Sequence, residues 1–530
     1  MTPSGAAAAA IRQPADSPVA FSGTGPLPDA EAPPAHAPEL LPLDAGEQYR
    51  FGFAMDACIG CHSCEVACAE QNDTPIDVAW RRVGELEGGS FPHTRRFTMS
   101  MACNHCLEPT CLSGCPTNAY VKLDNGVVRQ DADECIGCQY CIWNCPYEVP
   151  VFDQGRKIVS KCDMCLPRLE AGQEPACVGA CPTHAITVEK VDVAAWRADH
   201  AAADAPGLPP SSITLSTTRV ELPAGMPADT AAVSDDRFAP EDPHWPLIGL
   251  TLLTQLSLGT LTATVTLQAL GGLRGGTLAR GAATGFLAGA TALAASLFHL
   301  GRPTSALKAL RNLRTSWLSR EVALFTAFSA LSLAYAAASR PTASGGWARF
   351  SLVLGLVAVV LGLAGVYASG RLYLVPARPV WNSGRTLVAF FSTGLAAGPL
   401  LTLLCLDRAR LGVTWIGVLL AASALGTLVQ LGALAHLVRT VRRRSDRQHR
   451  GTAHLLLERS RGLLAARVAF AASGLALMAS ALVVPLGGSA AAGRLGTALV
   501  AVVAGELIGR YLFYVTVVPH GMVGSFFESP

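Results

Sequence analysis

The sequence predicts a chain in two parts, an α+β domain organised around clustered cysteines followed by an all-α polytopic membrane domain of eight transmembrane helices. Three observations carry this. Sixteen of the 17 cysteines fall between Cys58 and Cys181, in four groups of four. From Trp245 onward, long apolar runs alternate with arginine-bearing loops. Across all 530 residues half are hydrophobic and only 15% are charged, too apolar for the several soluble domains that such a length otherwise accommodates. The formal net charge of +2 gives no reason to expect a nucleic-acid partner.

Residues 1–48 are rich in Ala and Pro, lack an extended apolar run, and are expected to be a disordered tail. The short apolar run at 6–11 precedes Arg12 instead of following a basic segment, and no twin-arginine pair is present, so no export signal is expected here. Residues 49–194 form the cysteine-rich domain. Within it, residues 120–129 read as two short strands joined by a turn at Asn125 and Gly126. Residues 195–243, dominated by Pro, Ala, Ser and Asp without a helical or strand period, are expected to be a linker that holds the first domain over a membrane surface. Residues 244–530 are the membrane domain.

The first cysteine group, Cys58, Cys61, Cys64 and Cys68, has spacings x2, x2, x3. The third repeats them as Cys135, Cys138, Cys141 and Cys145, followed by Pro146. This is the bacterial ferredoxin run, in which three closely spaced thiolates hold one [4Fe–4S] cluster and the fourth serves its neighbour. The second group is Cys103, Cys106, Cys111 and Cys115, and the fourth is Cys162, Cys165, Cys177 and Cys181, each followed by Pro. Sixteen ligands suit four clusters. The competing reading is structural zinc, which also uses Cys-x2-Cys pairs but does not ask for triplets with a trailing x3-Cys-Pro. His62 and His105 lie between ligands. With every cysteine in place they do not make a Rieske site and read as ordinary loop residues. Four clusters without a nucleotide-binding glycine motif describe an electron conduit.

The four quartets in this order resemble the iron–sulfur subunit of the dimethyl sulfoxide reductase family, which is made of tandem ferredoxin-like [4Fe–4S] modules. That resemblance implies that the first quartet pairs with the fourth and the second with the third. Cys58, Cys61 and Cys64 would then share a cluster with Cys181, and Cys162, Cys165 and Cys177 one with Cys68. Likewise Cys103, Cys106 and Cys111 would go with Cys145, and Cys135, Cys138 and Cys141 with Cys115. Related nitrate reductases carry Trp at the position of Cys138 and hold a three-iron cluster; Cys here implies four complete cubanes. Ala69 departs from the Cys-Pro ending of the other quartets and removes no ligand.

Eight apolar runs are long enough to cross a bilayer: about 246–270, 281–300, 321–338, 348–368, 384–406, 412–438, 464–485 and 496–518. Their Gly and Ala content suits close helix packing in lipid. His244-Trp-Pro-Leu, His299-Leu-Gly-Arg-Pro, Ser316-Trp-Leu-Ser-Arg-Glu and Gly505-Glu-Leu-Ile-Gly-Arg are similar to segments of the membrane-anchor subunit of the same complex. The chain therefore looks like two subunits in one. The resemblance implies a quinone site at His299 and Glu321, menaquinone or ubiquinone as exchangeable substrate, and a separate molybdopterin-containing catalytic subunit as partner.

The residues support that reading independently. Ionisable groups at membrane depth are costly and mark proton or ligand paths, and His exchanges protons near neutral pH. Because the second helix runs back toward the side where the first began, His299 and Glu321 both belong on the face that carries the cysteine domain. The plainer alternative is that His299 caps a helix end and Glu321 complements a helix dipole. Glu506 and Arg510, four apart, read as an internal ion pair, and Cys405 as a small buried apolar residue. No haem is expected, since paired axial histidines are needed and only His299 and His436 lie near a helix.

Loops after the even-numbered helices carry more Lys and Arg than those after the odd ones, notably from Arg302 to Arg320 and from Arg439 to Arg467. This predicts an inner-membrane protein with the iron–sulfur domain on the cytoplasmic side; residues 439–450 could also contact lipid headgroups there. Two directions of electron flow are open, from menaquinol to a sulfoxide or N-oxide, or into quinone as in cytoplasm-facing sulfite dehydrogenases. A transporter or proton pump under ferredoxin control is a different class, and the scarcity of mid-helix charge argues against it.

Overall fold

In the computed structural model, residues 42–233, 237–271, 276–339, 345–484 and 488–522 are described. Most of the expected tail, residues 1–41, lies outside them. The cysteine-rich domain opens with β1 (Glu47–Ala54), whose alternating aromatic and polar residues are buried on both faces. The later strands are β2 (Arg82–Gly88), β3 (Arg95–Met101), β4 (Tyr120–Lys122), β5 (Val128–Gln130), β6 (Val151–Asp153), β7 (Ile158–Ser160), β8 (Ile186–Asp192), β9 (Arg219–Glu221) and β10 (Ala231–Ala232). They make two three-stranded sheets, ordered β8-β1-β9 and β10-β2-β3, and two hairpins, β4-β5 and β6-β7. In the first sheet Glu47 faces Asp192 and Phe53 faces Ile186 in antiparallel register. The hairpin expected at 120–129 is present, Tyr120 opposite Gln130, with Gly126 at φ 86° closing the turn.

The segment 195–243 is not an open linker. Trp196 is buried and donates its indole N–H to the Ser216 carbonyl at 2.8 Å. β9 adds to β1 in parallel, and β10 adds to the edge of β2. Thr214 donates to Cys106 Sγ at 3.1 Å, and Thr217 and Thr218 bond Asn104. The packing depends on isolated anchors and on strands of two or three residues that borrow a sheet edge. Such strands have too few residues to carry a hydrophobic period.

Among the described residues, eight helices are long and apolar enough to cross a membrane: Trp245–Ala269, Thr277–His299, Trp317–Ala338, Gly346–Leu372, Gly384–Cys405, Val413–Arg443, Arg461–Ala481 and Ser489–Val515. They are called the first to eighth spanning helices below. The first is the most enclosed, because small residues let the fifth helix reach its backbone. A Cβ on Gly259 would collide with the Gly394 carbonyl, and one on Gly398 with Gly259 itself. Such glycine contacts are how helices pack closely where lipid offers no hydrophobic contrast. Cys405 ends the fifth helix half-buried.

Candidate functional site

Each cysteine run is an extended loop leading into a short helix, and left-handed residues between the ligands curl it. Gly60 and Gly137 repeat the same place in Cys-Ile-Gly-Cys, at φ 69° and 68°; His62, His105, Gln139 and Met164 also have positive φ. Cys58, Cys61 and Cys64 line one small cavity together with Cys181. Cys103, Cys106 and Cys111 line another with Cys145. Cys162 stands against Cys68 and Cys177, and Asn72 Nδ2 lies 3.8 Å from both Cys68 and Cys165 sulfurs. Cys135, Cys138 and Cys141 lie near Cys115. The trailing cysteine of each group thus lies beside the triplet of another, the first group beside the fourth and the second beside the third.

None of the sixteen is in a disulfide, and of them only Cys61 is exposed. Among the described residues no three His, Cys, Asp or Glu side chains close on a single ion; the thiols surround spaces. Backbone N–H groups of Gly137, Met164 and Ala119 point at the sulfurs of Cys135, Cys162 and Cys115 at 3.3–3.4 Å. Four sulfurs around an enclosed space, with N–H donors aimed at them, form a donor set that fits an iron–sulfur cube and tunes its potential.

The groups follow one another across the domain. Cys64 lies near Cys177, Cys162 near Cys103, and Tyr120 near Cys111 and Cys141. Two buried cations, Arg81 and Lys161, and the half-buried Lys122 run beside them. Arg81 donates to Ser100 Oγ at 3.1 Å and lies over the Phe51 ring. Lys122 donates to the Cys106 carbonyl at 2.7 Å, and Lys161 to the Cys162 carbonyl at 2.8 Å. His105 is more than a loop residue: it is fully buried, and its Nδ1 accepts the Val128 N–H at 3.0 Å, which puts the ring proton on Nε2. His62 pairs with Glu65 at 2.6 Å on the surface side.

The third cysteine loop and the end of the second group are pressed onto the membrane domain. Arg302 N–H donates to the Ile136 carbonyl at 3.1 Å, Asn312 Nδ2 to the Cys115 carbonyl at 2.8 Å, Ser316 Oγ to the Gly114 carbonyl at 2.7 Å, and Tyr140 hydroxyl to the Leu372 carbonyl at 3.0 Å. Beneath the third loop lies a cavity of about 350 Å³. Cys138, Tyr140 and Trp143 form its roof; His299, Glu321, Phe325 and Tyr373 are among the membrane residues around it. His299 and Glu321 therefore share one cavity, and that cavity touches a cysteine of the third group. Glu321 is 5% exposed. His436 does not line it.

Sequence reasoning missed the second histidine. His244, in left-handed conformation at φ 49° ahead of the first spanning helix, sits edge-on to His299 with ring centroids 5.3 Å apart and edge-on to Trp143 at 5.1 Å. Burial, and then the Arg378 charge, hold it down at about 4, so it is neutral. Arg378, nearly fully buried, pairs with Glu241 at 3.0 Å. The signal was the single polar residue before Trp245; its partner came from a distant helix end. Glu506 and Arg510 do not form the expected ion pair. Thr393 stands between them, its hydroxyl donating to Glu506 Oε2 at 2.6 Å and accepting from Arg510 at 3.2 Å, while Arg510 also donates to Gln255 Oε1 at 2.7 Å. Four residues apart on a helix, the two side chains satisfy themselves on the first and fifth helices instead.

Cysteine cages above, an ionisable cavity within the bundle, and direct contact between them define a membrane-anchored iron–sulfur electron-transfer protein. Residues 94–191 match the family described as a 4Fe-4S dicluster domain, and residues 241–515 match the DMSO reductase anchor subunit (DmsC). This protein belongs to the DMSO reductase anchor-subunit family, with an iron–sulfur subunit of the same system joined ahead of the anchor. It is 40% identical over 177 residues to an anaerobic dimethyl sulfoxide reductase polypeptide of Haemophilus influenzae, covering 32% of this sequence and 86% of that one. It is 37% identical over 153 residues to the anaerobic dimethyl sulfoxide reductase counterpart in Escherichia coli, covering 27% and 75%. To a sulfite dehydrogenase subunit of Allochromatium vinosum it is 38% identical over 153 residues, covering 25% and 64%.

Proposed function

We propose that the chain carries electrons between a membrane quinone and a separate molybdopterin-containing catalytic subunit, through four [4Fe–4S] clusters held by the sixteen cysteines. The observation that carries this reading is that Cys138, His299 and Glu321 line one cavity. The cavity is mostly apolar with a few polar groups among its lining residues, as a site for a ring with a hydrophobic tail should be. His299 would hydrogen-bond one quinol hydroxyl and accept its proton, Glu321 would serve the other side of the ring, and Trp143 and Phe325 would pack against its faces. Clusters held in the cysteine cages would supply one-electron chemistry, matching a two-electron quinol to single-electron carriers. At the far end, Cys61 is exposed, and Ile59 and Val66, close to it in sequence, are 65% and 64% exposed. An apolar rim around an accessible ligand is where a catalytic subunit docks.

The leading direction is from quinol to a sulfoxide or N-oxide, in keeping with the dimethyl sulfoxide reductase relatives. The reverse, into quinone from sulfite, is favoured by the loop-charge bias toward a cytoplasmic iron–sulfur domain in the inner membrane and by the likeness to a sulfite dehydrogenase subunit. The test is to purify the protein with its co-purifying large subunit and measure quinol oxidation and quinone reduction, with dimethyl sulfoxide and sulfite as the second substrates. His299→Ala and Glu321→Gln are expected to lower quinone-linked turnover by about 100-fold, within the range for a lost proton-transfer group, while dithionite-reduced cluster signals stay unchanged. Unchanged turnover in His299→Ala would remove the cavity from the reaction.

A further inference from the structure

We infer that the membrane domain binds a phosphate anion, contributed by an acidic phospholipid or by free phosphate, where Arg385, Arg467 and Arg510 converge. They line a cavity of about 50 Å³ between the fifth to eighth spanning helices that shares no lining residue with the cavity of His299. Its volume is that of a few water molecules or one phosphate group.

The charges there do not balance. Glu506 is the sole acidic residue in these four helices, and among the described residues none of the three guanidiniums reaches it at ion-pair distance. Arg385 donates to the Val380 carbonyl at 2.7 Å, Arg467 to Gln430 Oε1 at 3.2 Å, and Arg510 to Gln255 and Thr393. Arg510 is 4% exposed, and its Nε has no partner. Each guanidinium carries about five N–H donors, more than these bonds engage. Cations buried at membrane depth are costly unless paired, and donors in such excess leave a place for an anion.

Position favours the membrane as its source. Arg385 opens the fifth helix, Arg467 lies near the start of the seventh and Arg510 near the end of the eighth, all toward the side that carries the cysteine domain. Arg385 and Arg467 are only partly covered, and the seventh helix packs chiefly on the eighth, with little against the sixth, which suits lateral entry between them. Basic pockets between helices at this depth are where acidic headgroups bind.

The test uses the full-length protein. Native mass spectrometry in detergent should show one retained phosphatidylglycerol per protein molecule and no retained phosphatidylcholine. Phosphatidylglycerol should also raise the melting temperature where phosphatidylcholine does not. In Arg385→Gln/Arg467→Gln, which removes the two partly covered cations and leaves Arg510 in place, retention should fall by at least about tenfold, the weight of one charged hydrogen bond. Should that variant not fold, brominated phosphatidylglycerol must quench Trp381, which lines the cavity, in the wild type relative to Trp381→Phe. Stabilisation by inorganic phosphate without retained lipid assigns the site to the free anion. Equal retention by wild type and variant, or no Trp381 quenching together with no shift from either phosphate source, overturns the inference.

Discussion

Gly137 and Gly301 meet backbone to backbone. The N–H of Gly301, two residues past His299, donates to the carbonyl of Gly137, inside the third cysteine loop, at 3.3 Å. A Cβ on either residue would run into the Lys157 carbonyl. The cysteine loop and the histidine loop are therefore in register through a contact that only glycine permits.

Gly301→Ala should push those loops apart while leaving every cysteine and His299 in place in the sequence. Displacements of about 1 Å at reacting groups cost on the order of 100-fold in rate, so a loss of roughly 10- to 100-fold in quinol-driven cluster reduction is expected by stopped-flow spectroscopy, with cluster content kept. Wild-type rates in this variant would show that the contact does not set the geometry.

Cys138→Ser should alter the cage beside the membrane cavity. Iron is expected to fall from about 16 per protein molecule toward about 15 or about 12, with quinone-linked activity lost. Cys61→Ser, in the exposed cage at the opposite end, should instead leave quinol able to reduce the remaining clusters. If the two variants behave alike, the order of the cages from the membrane outward is wrong.

Lys161 lies between the second and fourth cysteine groups, so Lys161→Met removes a buried positive charge beside centres that become more negative when reduced. Their midpoint potentials should fall by on the order of 50–100 mV, the Coulomb energy of one charge several ångströms away at intermediate dielectric. Redox titration monitored by electron paramagnetic resonance measures this, and potentials equal to wild type would contradict it.

Glu241 gives a pH signature. Burial raises its carboxyl to about 7, against the opposing pull of Arg378 and with help from Glu148 and Asp242. Between its ordinary 4.5 and about 7 the folded state holds a proton that the unfolded state has released. This group's contribution to stability therefore declines as pH rises through that window and is lost above it. Glu241→Gln, which keeps a hydrogen bond to Arg378, should flatten the fall in melting temperature between about pH 5 and 7 by a few degrees. A curve parallel to wild type would sink the assignment.

Much of the molecule is legible in its sequence. Thiolate ligands of a cluster are dictated by local spacing, and Cys-Ile-Gly-Cys with its left-handed glycine curls the same way at 58 and at 135. Spanning helices are dictated by length and hydropathy, so all eight runs appear, with ends shifted by a few residues; the fifth begins at Gly384 as expected. The segment 195–243 is not legible in this way, because Trp196, β9 and β10 gain their order from sheet edges and pockets that other parts of the protein provide.

By itself the sequence determined that there are sixteen thiols in convergent loops and eight helices to carry them, since ligand spacing and apolar length are properties of short stretches. Tertiary structure decided which groups meet. His244 reaches His299, Asn312 holds the carbonyl of Cys115, and Cys138 roofs the cavity of Glu321 because two backbones approach at Gly137 and Gly301. Thr393 parts Glu506 from Arg510 for the same kind of reason. Long-range neighbours depend on how whole elements pack, and a low-dielectric interior makes each such pairing strong enough to override the partner that helical spacing would choose.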